Sequence, residues 1–281
     1  MPGISVSKIA TCFSSSSWEQ YWSKHLFAED DVSLWATKRS GSYLQDAEDN
    51  NIAEIHTPHI VSSINYRSDA GVFDVGSTDL TAAIWLEDTS VSDALCFIMG
   101  KLVTTTNPQG HWGIFTYTNG FLYFQAKTTE TNISIATPAK FRTYGKCLVI
   151  IEIDMTDHVA RLFINNIQIG SNVAFTGTFP AVDVKYEYVI GAGNSLAGTT
   201  FTSPFTGRMA DAYIFRKILN PTEKATLLNR GIVSGALAHY PLEFEYPTKD
   251  FSGNGYDLTA SGAQTFDWGI IGSKQALNAG H

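Results

Sequence analysis

The sequence predicts an all-β protein: a sandwich of two antiparallel sheets with one short capping helix. Three observations carry that prediction. Apolar residues fall in short runs with period two, as in Val149, Ile151, Ile153 and Met155 against Ile150, Glu152 and Asp154, which is the spacing of a pleated strand with two distinct faces. Turn residues such as Asn119-Gly120 and Asn165-Asn166 punctuate the runs at close intervals. One stretch, 220–231, carries a strong helix signal. The composition agrees, since 17 Phe, 12 Tyr and 6 Trp favour strands, and 23 Gly supply turns.

A chain of 281 residues can bury one large core or two modest ones. A formal net charge of −8 without a Lys/Arg cluster argues against nucleic acid as a partner, because phosphate binding needs concentrated positive charge. No apolar run is long enough to span a bilayer, and the first residues lack the pattern of a signal peptide. Cys12, Cys96 and Cys147 have no metal spacing; the last two sit in apolar runs and read as buried thiols.

Residues 1–70 are expected to form an N-terminal arm and a partly irregular extension. Ser14 to Ser17 resembles a linker. Trp18 to Phe27, as a helix, would bring Trp18, Tyr21, Trp22 and His25 to one side, for packing on the main domain or a partner. Asp46, Glu48 and Asp49 crowd enough oxygens to raise calcium as a weak option, but without the ligand spacing of a dedicated loop. A solvated loop is the plainer reading, and no cofactor is assigned. His56 and His59 flank Pro58 without a third metal ligand.

Gly71–Gly76 reads as a short strand, Leu80–Leu86 as a second and Ala94–Gly100 as a central one. Lys101–Gly110 reads as a surface loop. Trp112–Tyr117 and Phe121–Gln125 form a hairpin through Thr118-Asn119-Gly120, followed by a strand at Asn132–Ala136. Leu148–Met155, Val159–Ile164 and Ile167–Ile169 form a meander. After a loop over 171–186 come a strand at Glu187–Ile190 and a polar loop over 194–203. Alternation in Met209–Phe215 puts Met209, Asp211, Tyr213 and Phe215 on one face, and Ala210, Ala212 and Ile214 on the other. Asn220 then caps a helix, with Pro221 at its first position, Glu223 closing a capping box, Leu227 and Leu228 inward, and Gly231 as a left-handed stop. Further strands are expected at Ala236–Glu243, at Tyr256–Thr259 and through Phe266, Trp268 and Ile270. Asp250 should accept backbone N–H groups across the intervening Ser-Gly-Asn-Gly turn. Residues 71–281 are thus one domain, with about 232–281 as an extension that completes the sandwich. A truncated second copy would leave exposed sheet edges.

Four stretches, TDLTAAIWLED, CLVIIEIDMTDHVARLFINNIQIG, EYVIGAG and FTGRMADAYIFRKILNPTEKATLLNRG, occur in an order that resembles the laminin-G-like, concanavalin A-like lectin/glucanase jelly-roll domains. HYPLEFEYPTKDFSGNGYDLT is similar to the segment that often opens such a domain, yet here follows the closing helix. The resemblance implies a jelly roll and two kinds of chemistry. Glu152-Ile153-Asp154-Met155-Thr156-Asp157 is similar to the Glu-x-Asp-x-x-Glu signature of the glucanases. That would make Glu152 a nucleophile and Asp157 an acid/base, on a strand shared with Asp154. Retaining hydrolysis needs the two carboxyl groups about 5–5.5 Å apart, and Asp157 is short and falls in a turn. An ordinary hairpin is the expected reading, and no catalytic residue is assigned. The lectin-like members imply an exposed aromatic platform, for which Trp112, Tyr117 and Tyr123 are the candidates, with core packing as the competing account. The sequence has no phosphate-binding loop or nucleophile elbow.

The functional expectation is a non-enzymatic structural or decoration component of a viral (phage) particle, in the capsid, tail or fibre and on the outer surface of the virion. Its partners would be other virion proteins or copies of itself through residues 1–70, and host-surface glycans. The alternatives are a free lectin-like or adhesin carbohydrate-binding module, and a glycoside hydrolase using Glu152 and Asp157.

Overall fold

The computed structural model describes residues 35–38, 41–45, 52–55, 59–62, 65–67, 71–102, 109–182, 186–194, 201–242, 248–261 and 265–267. The chain divides into two compact units, 1–57 with 273–281, and 58–272. In the first unit β1 (Trp35–Lys38), β2 (Gly41–Gln45) and β3 (Ile52–Ile55) form an antiparallel sheet in that order. The Ser14–Ser17 run, Trp18–Phe27, the Asp46–Asp49 loop and His56 lie outside the described residues.

The second unit begins with β4 (His59–Ser62), β5 (Asn65–Arg67), β6 (Leu80–Asp88), β7 (Cys96–Lys101), β8 (Trp112–Thr116), β9 (Phe121–Lys127) and β10 (Asn132–Lys140). A 3-10 turn at Phe141–Tyr144 leads to β11 (Cys147–Asp154), β12 (Val159–Ile164), β13 (Ile167–Gln168), β14 (Val173–Ala174), β15 (Tyr188–Ile190), β16 (Gly193–Asn194), β17 (Phe201–Thr202) and β18 (Gly207–Phe215). Helix α1 (Pro221–Leu228) follows, then β19 (Ala238–Tyr240), β20 (Thr259–Ala260) and β21 (Thr265–Asp267). One sheet runs β10-β9-β8-β7-β15-β5-β20. The other runs β13-β12-β11-β6-β18-β4-β21, with β14 beside β12 and β19 beside β18. Both are antiparallel, and their inner faces make the jelly-roll sandwich.

Period two decides what meets between them. Leu80, Ala82, Ile84 and Leu86 of β6, with Val149, Ile151 and Ile153 of β11, share one core with Ile114 of β8 and Leu122, Phe124 and Ala126 of β9. Each fully buried aliphatic side chain contributes about 1.5–3 kcal/mol by leaving water. Asn165 and Asn166, at φ of 50° and 65°, close the tight turn from β12 to β13, where both central residues need left-handed backbone.

The opposite residues of the same strands, Ala83, Trp85, Leu148 and Ile150, form a second cluster with Leu219, Leu227 and Val233. Helix α1 therefore lies on the outer face of the β6–β11 sheet. Asn220 and Glu223 make the reciprocal capping box, and the Trp85 indole N–H donates to the Leu227 carbonyl at 3.3 Å. The left-handed residue at the helix end is Arg230 (φ 57°), not Gly231. Gly231 is needed for another reason: a Cβ there would stand 2.7 Å from Thr226 Cγ2.

Three further expectations are corrected. Gly71–Gly76 is a turn, not a strand, closed by Asp74 N–H on the Gly71 carbonyl. Its Asp74 carboxylate reaches Lys101 at 2.6 Å, and Lys101 is the fully buried last residue of β7, not part of a surface loop. Strand β18 also breaks its alternation. Ala210 pairs with Trp85 and Tyr213 with Ala83, so Asp211 and Ala212 stand opposite one residue of β6. This is a β-bulge, with Asp211 at φ 45°. Beyond it Ala212 and Ile214 join Met209 in the inner core, while Ala210, Tyr213 and Phe215 face the helix.

The segment after the helix enters both sheets: β19 pairs with β18, β20 with β5 and β21 with β4. Asp250 accepts N–H bonds from His239, Ser252 and Tyr256 at 2.8–3.0 Å.

Candidate functional site

The sandwich has two outer faces, and α1 covers one. On the other, the β16–β17 ribbon overlies the half formed by β7, β15 and β5. Phe201 packs on Tyr66 with ring centroids 4.8 Å apart. Gly193 lies so close to Phe97 that a Cβ would stand 2.7 Å from the ring. The ribbon is fixed by Asn194, whose backbone N–H and side-chain amide both donate to the Leu102 carbonyl.

The remaining half, β8 to β10, carries the candidate site. In β9, Leu122, Phe124 and Ala126 point into the core, so Tyr123, Gln125 and Lys127 point outward. Strand pairing sets them in rows. Phe115, Tyr123 and Ala136 form the first; Gly113, Gln125 and Ser134 the second; Lys127 and Asn132 begin the third. Phe115 and Tyr123 stack with centroids 5.5 Å apart, and Tyr117 meets both edge-on at 6.5 and 6.0 Å. Tyr117 is 47% exposed, and Tyr123 is half-buried. Asn119 in the β8–β9 turn donates to the Tyr123 hydroxyl at 2.8 Å, which holds the ring in place. Beyond that turn Asp93 accepts from Lys140 and Arg142; the hydrogen bond from Lys140 is the main cause holding its carboxyl below the usual range, opposed by desolvation and assisted by the charges of Arg142 and Lys140.

The fold thus brings Tyr117 and Tyr123 together and separates Trp112 from them. Trp112 is fully buried, with its indole N–H on the Phe73 carbonyl at 2.7 Å. It is a core residue, not part of an exposed platform. Phe115, Gln125, Lys127 and Ser134 belong to the face without having been singled out in the sequence. Their signal was present: the Asn-Gly turn fixes the β8–β9 register, and parity along each strand then gives the rows.

The three carboxylates lie elsewhere. Glu152 is 1% exposed on the helix-covered face, with Lys224 of α1 at 2.6 Å and Arg161 at 3.5 Å. Lys224 also sits 3.8 Å from the centroid of Phe163. Asp154 accepts the N–H groups of Thr156 and Asp157 at 3.1 and 2.9 Å and the Arg161 guanidinium at 3.2 Å. Asp157 is exposed in the turn, 3.9 Å from Arg161. Glu152 and Asp154 therefore act as counter-ions that join helix, strand and turn. Among the described residues no group of three or more His, Cys, Asp or Glu is placed to hold a metal ion, and no helix is long and apolar enough to cross a membrane.

A two-sheet jelly roll with one outer face under a helix and the other partly open is a lectin-like sandwich. The sequence profile described as the concanavalin A-like lectin/glucanases superfamily matches residues 63–223, and the chain belongs to that superfamily. No curated protein matches it in sequence. Among solved structures it is similar to a candidate carbohydrate-binding protein from Bacteroides ovatus, at 15% identity over 85% of this chain and 69% of that one, with a TM-score of 0.55. It is also similar to the CBM40 of the Ruminococcus gnavus IT-sialidase (18% identity, 61% and 96% covered, TM-score 0.47). A SAP-like pentraxin from Limulus polyphemus is a further neighbour (14%, 84% and 98% covered, TM-score 0.47). At these identities the likeness concerns the fold.

Proposed function

We propose that this chain is a non-catalytic, lectin-like module that binds glycans on the outer face of β8–β10. The observation that carries the reading is the exposed Tyr117 and half-buried Tyr123 seated on the buried Phe115 at the outer face of β8–β9, with Gln125 and Ser134 in the adjacent row. An aromatic ring offers its face to the apolar C–H side of a pyranose, while amide and hydroxyl groups take its hydroxyls. Superfamily membership supports it. The burial of Glu152 between Lys224 and Arg161 supports a structural role for the carboxylates rather than hydrolysis.

A glycan array followed by titration calorimetry tests the proposal. Replacing both Tyr117 and Tyr123 by Ala should weaken binding about tenfold or more, since aromatic packing is worth about 0.5–1.5 kcal/mol per pair beyond buried area. No bound glycan, or binding untouched by the double replacement, would refute it.

A virion-associated structural role is a second reading for the same module. It is supported by residues 1–57, which with 273–281 form a unit of their own bearing the β1–β3 sheet and could engage copies of the chain or other particle proteins. A monomeric chain with no affinity for purified particles would sink it.

A further inference from the structure

We propose that Lys127 selects a negatively charged sugar, so that this face takes an acidic oligosaccharide about three rings long. The inference rests on the glycan-binding reading and adds a specificity residue and a ligand class to it.

Lys127 stands two rows from Tyr123 on the same side of β9. Four residues of extended strand span about 13 Å, roughly the length of three linked pyranose rings. A ring on Tyr117 and Tyr123 would leave the second over Gln125 and Ser134 and the third beside Lys127 and Asn132. The floor bounds this course on one side: Ala136, beside Tyr123, is small, whereas the Leu102 side chain lies over Gly113, where a Cβ would stand 2.4 Å from its Cδ1, and so walls the β8 side of the Gln125 row.

The charge argument concerns what Lys127 lacks. Lys101, Lys140, Lys217, Lys224 and Lys249 each have a carboxylate partner. The half-buried Lys127 and the exposed Lys146 have no ion-pair partner among the described residues, although the whole chain holds 27 acidic against 19 basic side chains. Its strand neighbours on this row are Asn132 on one side and His111, whose carbonyl accepts the Lys127 N–H, on the other. Neither can supply a negative charge. An ammonium on a half-buried lysine bordered by an amide is a place for an anion brought by the ligand, such as a sugar carboxylate or sulfate, where a charge-assisted hydrogen bond is stronger than a neutral one.

The test is calorimetry on the full chain with matched probes: galacturonic acid oligomers of one to four rings and their methyl esters, sialyllactose with lactose, and sulfated with desulfated heparin oligosaccharides. In at least one pair the acidic member should bind about tenfold more tightly, with the preference emerging at three rings. Lys127→Gln should abolish the preference while leaving the neutral member's affinity, Lys127→Arg should retain it, and Tyr123→Ala should weaken both members. Equal affinity within every pair, or a preference that survives Lys127→Gln, overturns this inference and leaves the glycan-binding reading standing if Tyr123→Ala still weakens binding. Failure of every probe, or binding indifferent to Tyr123→Ala, overturns both.

Discussion

Replacing Lys101 by Met should be among the most damaging single changes in the sandwich. The Lys101 side chain is fully buried and its ammonium lies 2.6 Å from Asp74, whose side chain is only 7% exposed. Without Lys101 the Asp74 carboxylate would stay buried with the Val182 N–H at 3.0 Å as its remaining described hydrogen-bond partner beyond its own turn. Removing one member of a buried pair costs about 3–5 kcal/mol, most of it the penalty of the stranded charge. At about 2–4 °C per kcal/mol for a domain of this size, the melting temperature should fall by roughly 6–20 °C. Asp74→Asn in the Lys101→Met background removes that charge and keeps an acceptor for Val182, so the double variant should be more stable than the sum of the two single effects allows. The assay is urea unfolding followed by tryptophan fluorescence on all four members of the cycle. A Lys101→Met cost below about 1 kcal/mol, or costs that simply add, would refute the argument that the pair is coupled and desolvated.

Three other outcomes are expected. Asn220→Ala removes the capping side chain of α1 and should cost about 1 kcal/mol, with glycan affinity unchanged because α1 lies on the opposite face; a changed affinity would contradict that separation. Asp211→Ala removes the ion pair to Arg230, made at 2.6 Å with both side chains about 95% buried, and should cost about 3–5 kcal/mol; Arg230→Met in the same chain should recover part of it, as read by denaturant midpoint. Burial pushes the Cys147 thiol from 9.0 up to about 12. A thiol reagent at pH 8 should label it only after unfolding. Between about pH 9 and 12 the unfolded thiol ionises while the folded one stays protonated, so stability should fall as pH rises, by at most about 1.4 kcal/mol per unit from this group. Rapid labelling of Cys147 itself in the native chain, located by peptide mass spectrometry apart from Cys12 and Cys96, would contradict its burial.

Much of the fold was legible because its causes are local. The alternation of Val149, Ile151 and Ile153 gave the core face of β11, the Asn119-Gly120 pair gave the β8–β9 hairpin, and Asn220, Pro221 and Glu223 gave the helix start. Each depends on residues within one turn or strand. What failed depends on distant partners. Lys101 reads as a loop residue until Asp74, 27 positions earlier in the numbering, is placed against it. The site was half legible. Trp112 and Tyr117 are five positions apart, so in one continuous strand they cannot share a face; parity alone separates them, whereas Tyr117 and Phe115 do share one. That Tyr123 joins them follows from the hairpin register. That this face is the open one does not follow from the strands, because it depends on where α1 and the β16–β17 ribbon come to rest.

The bulge at Asp211 connects these points. Unbroken alternation would group Met209 with Tyr213 and Phe215, so that either the aromatics entered the inter-sheet core or Met209 faced the helix. One extra residue in β18 changes the parity: Met209, Ala212 and Ile214 go inward, and Tyr213 and Phe215 go out to Leu219 and Leu227. The left-handed conformation this imposes on Asp211 is unfavourable for most side chains. Here it aims the carboxylate at Arg230, itself left-handed at the end of α1. The bulge and the helix terminus are thus joined by one buried ion pair, with His239 of β19 stacked on Tyr213 at 4.0 Å beside it. The apolar outer surface of β6, β11 and β18 is consequently covered by the chain's own helix. The glycan-binding reading therefore falls on the other sheet, where Tyr123 packs beside Phe115, Phe97, Leu95 and Leu102 and Tyr117 stands exposed at the β8–β9 turn.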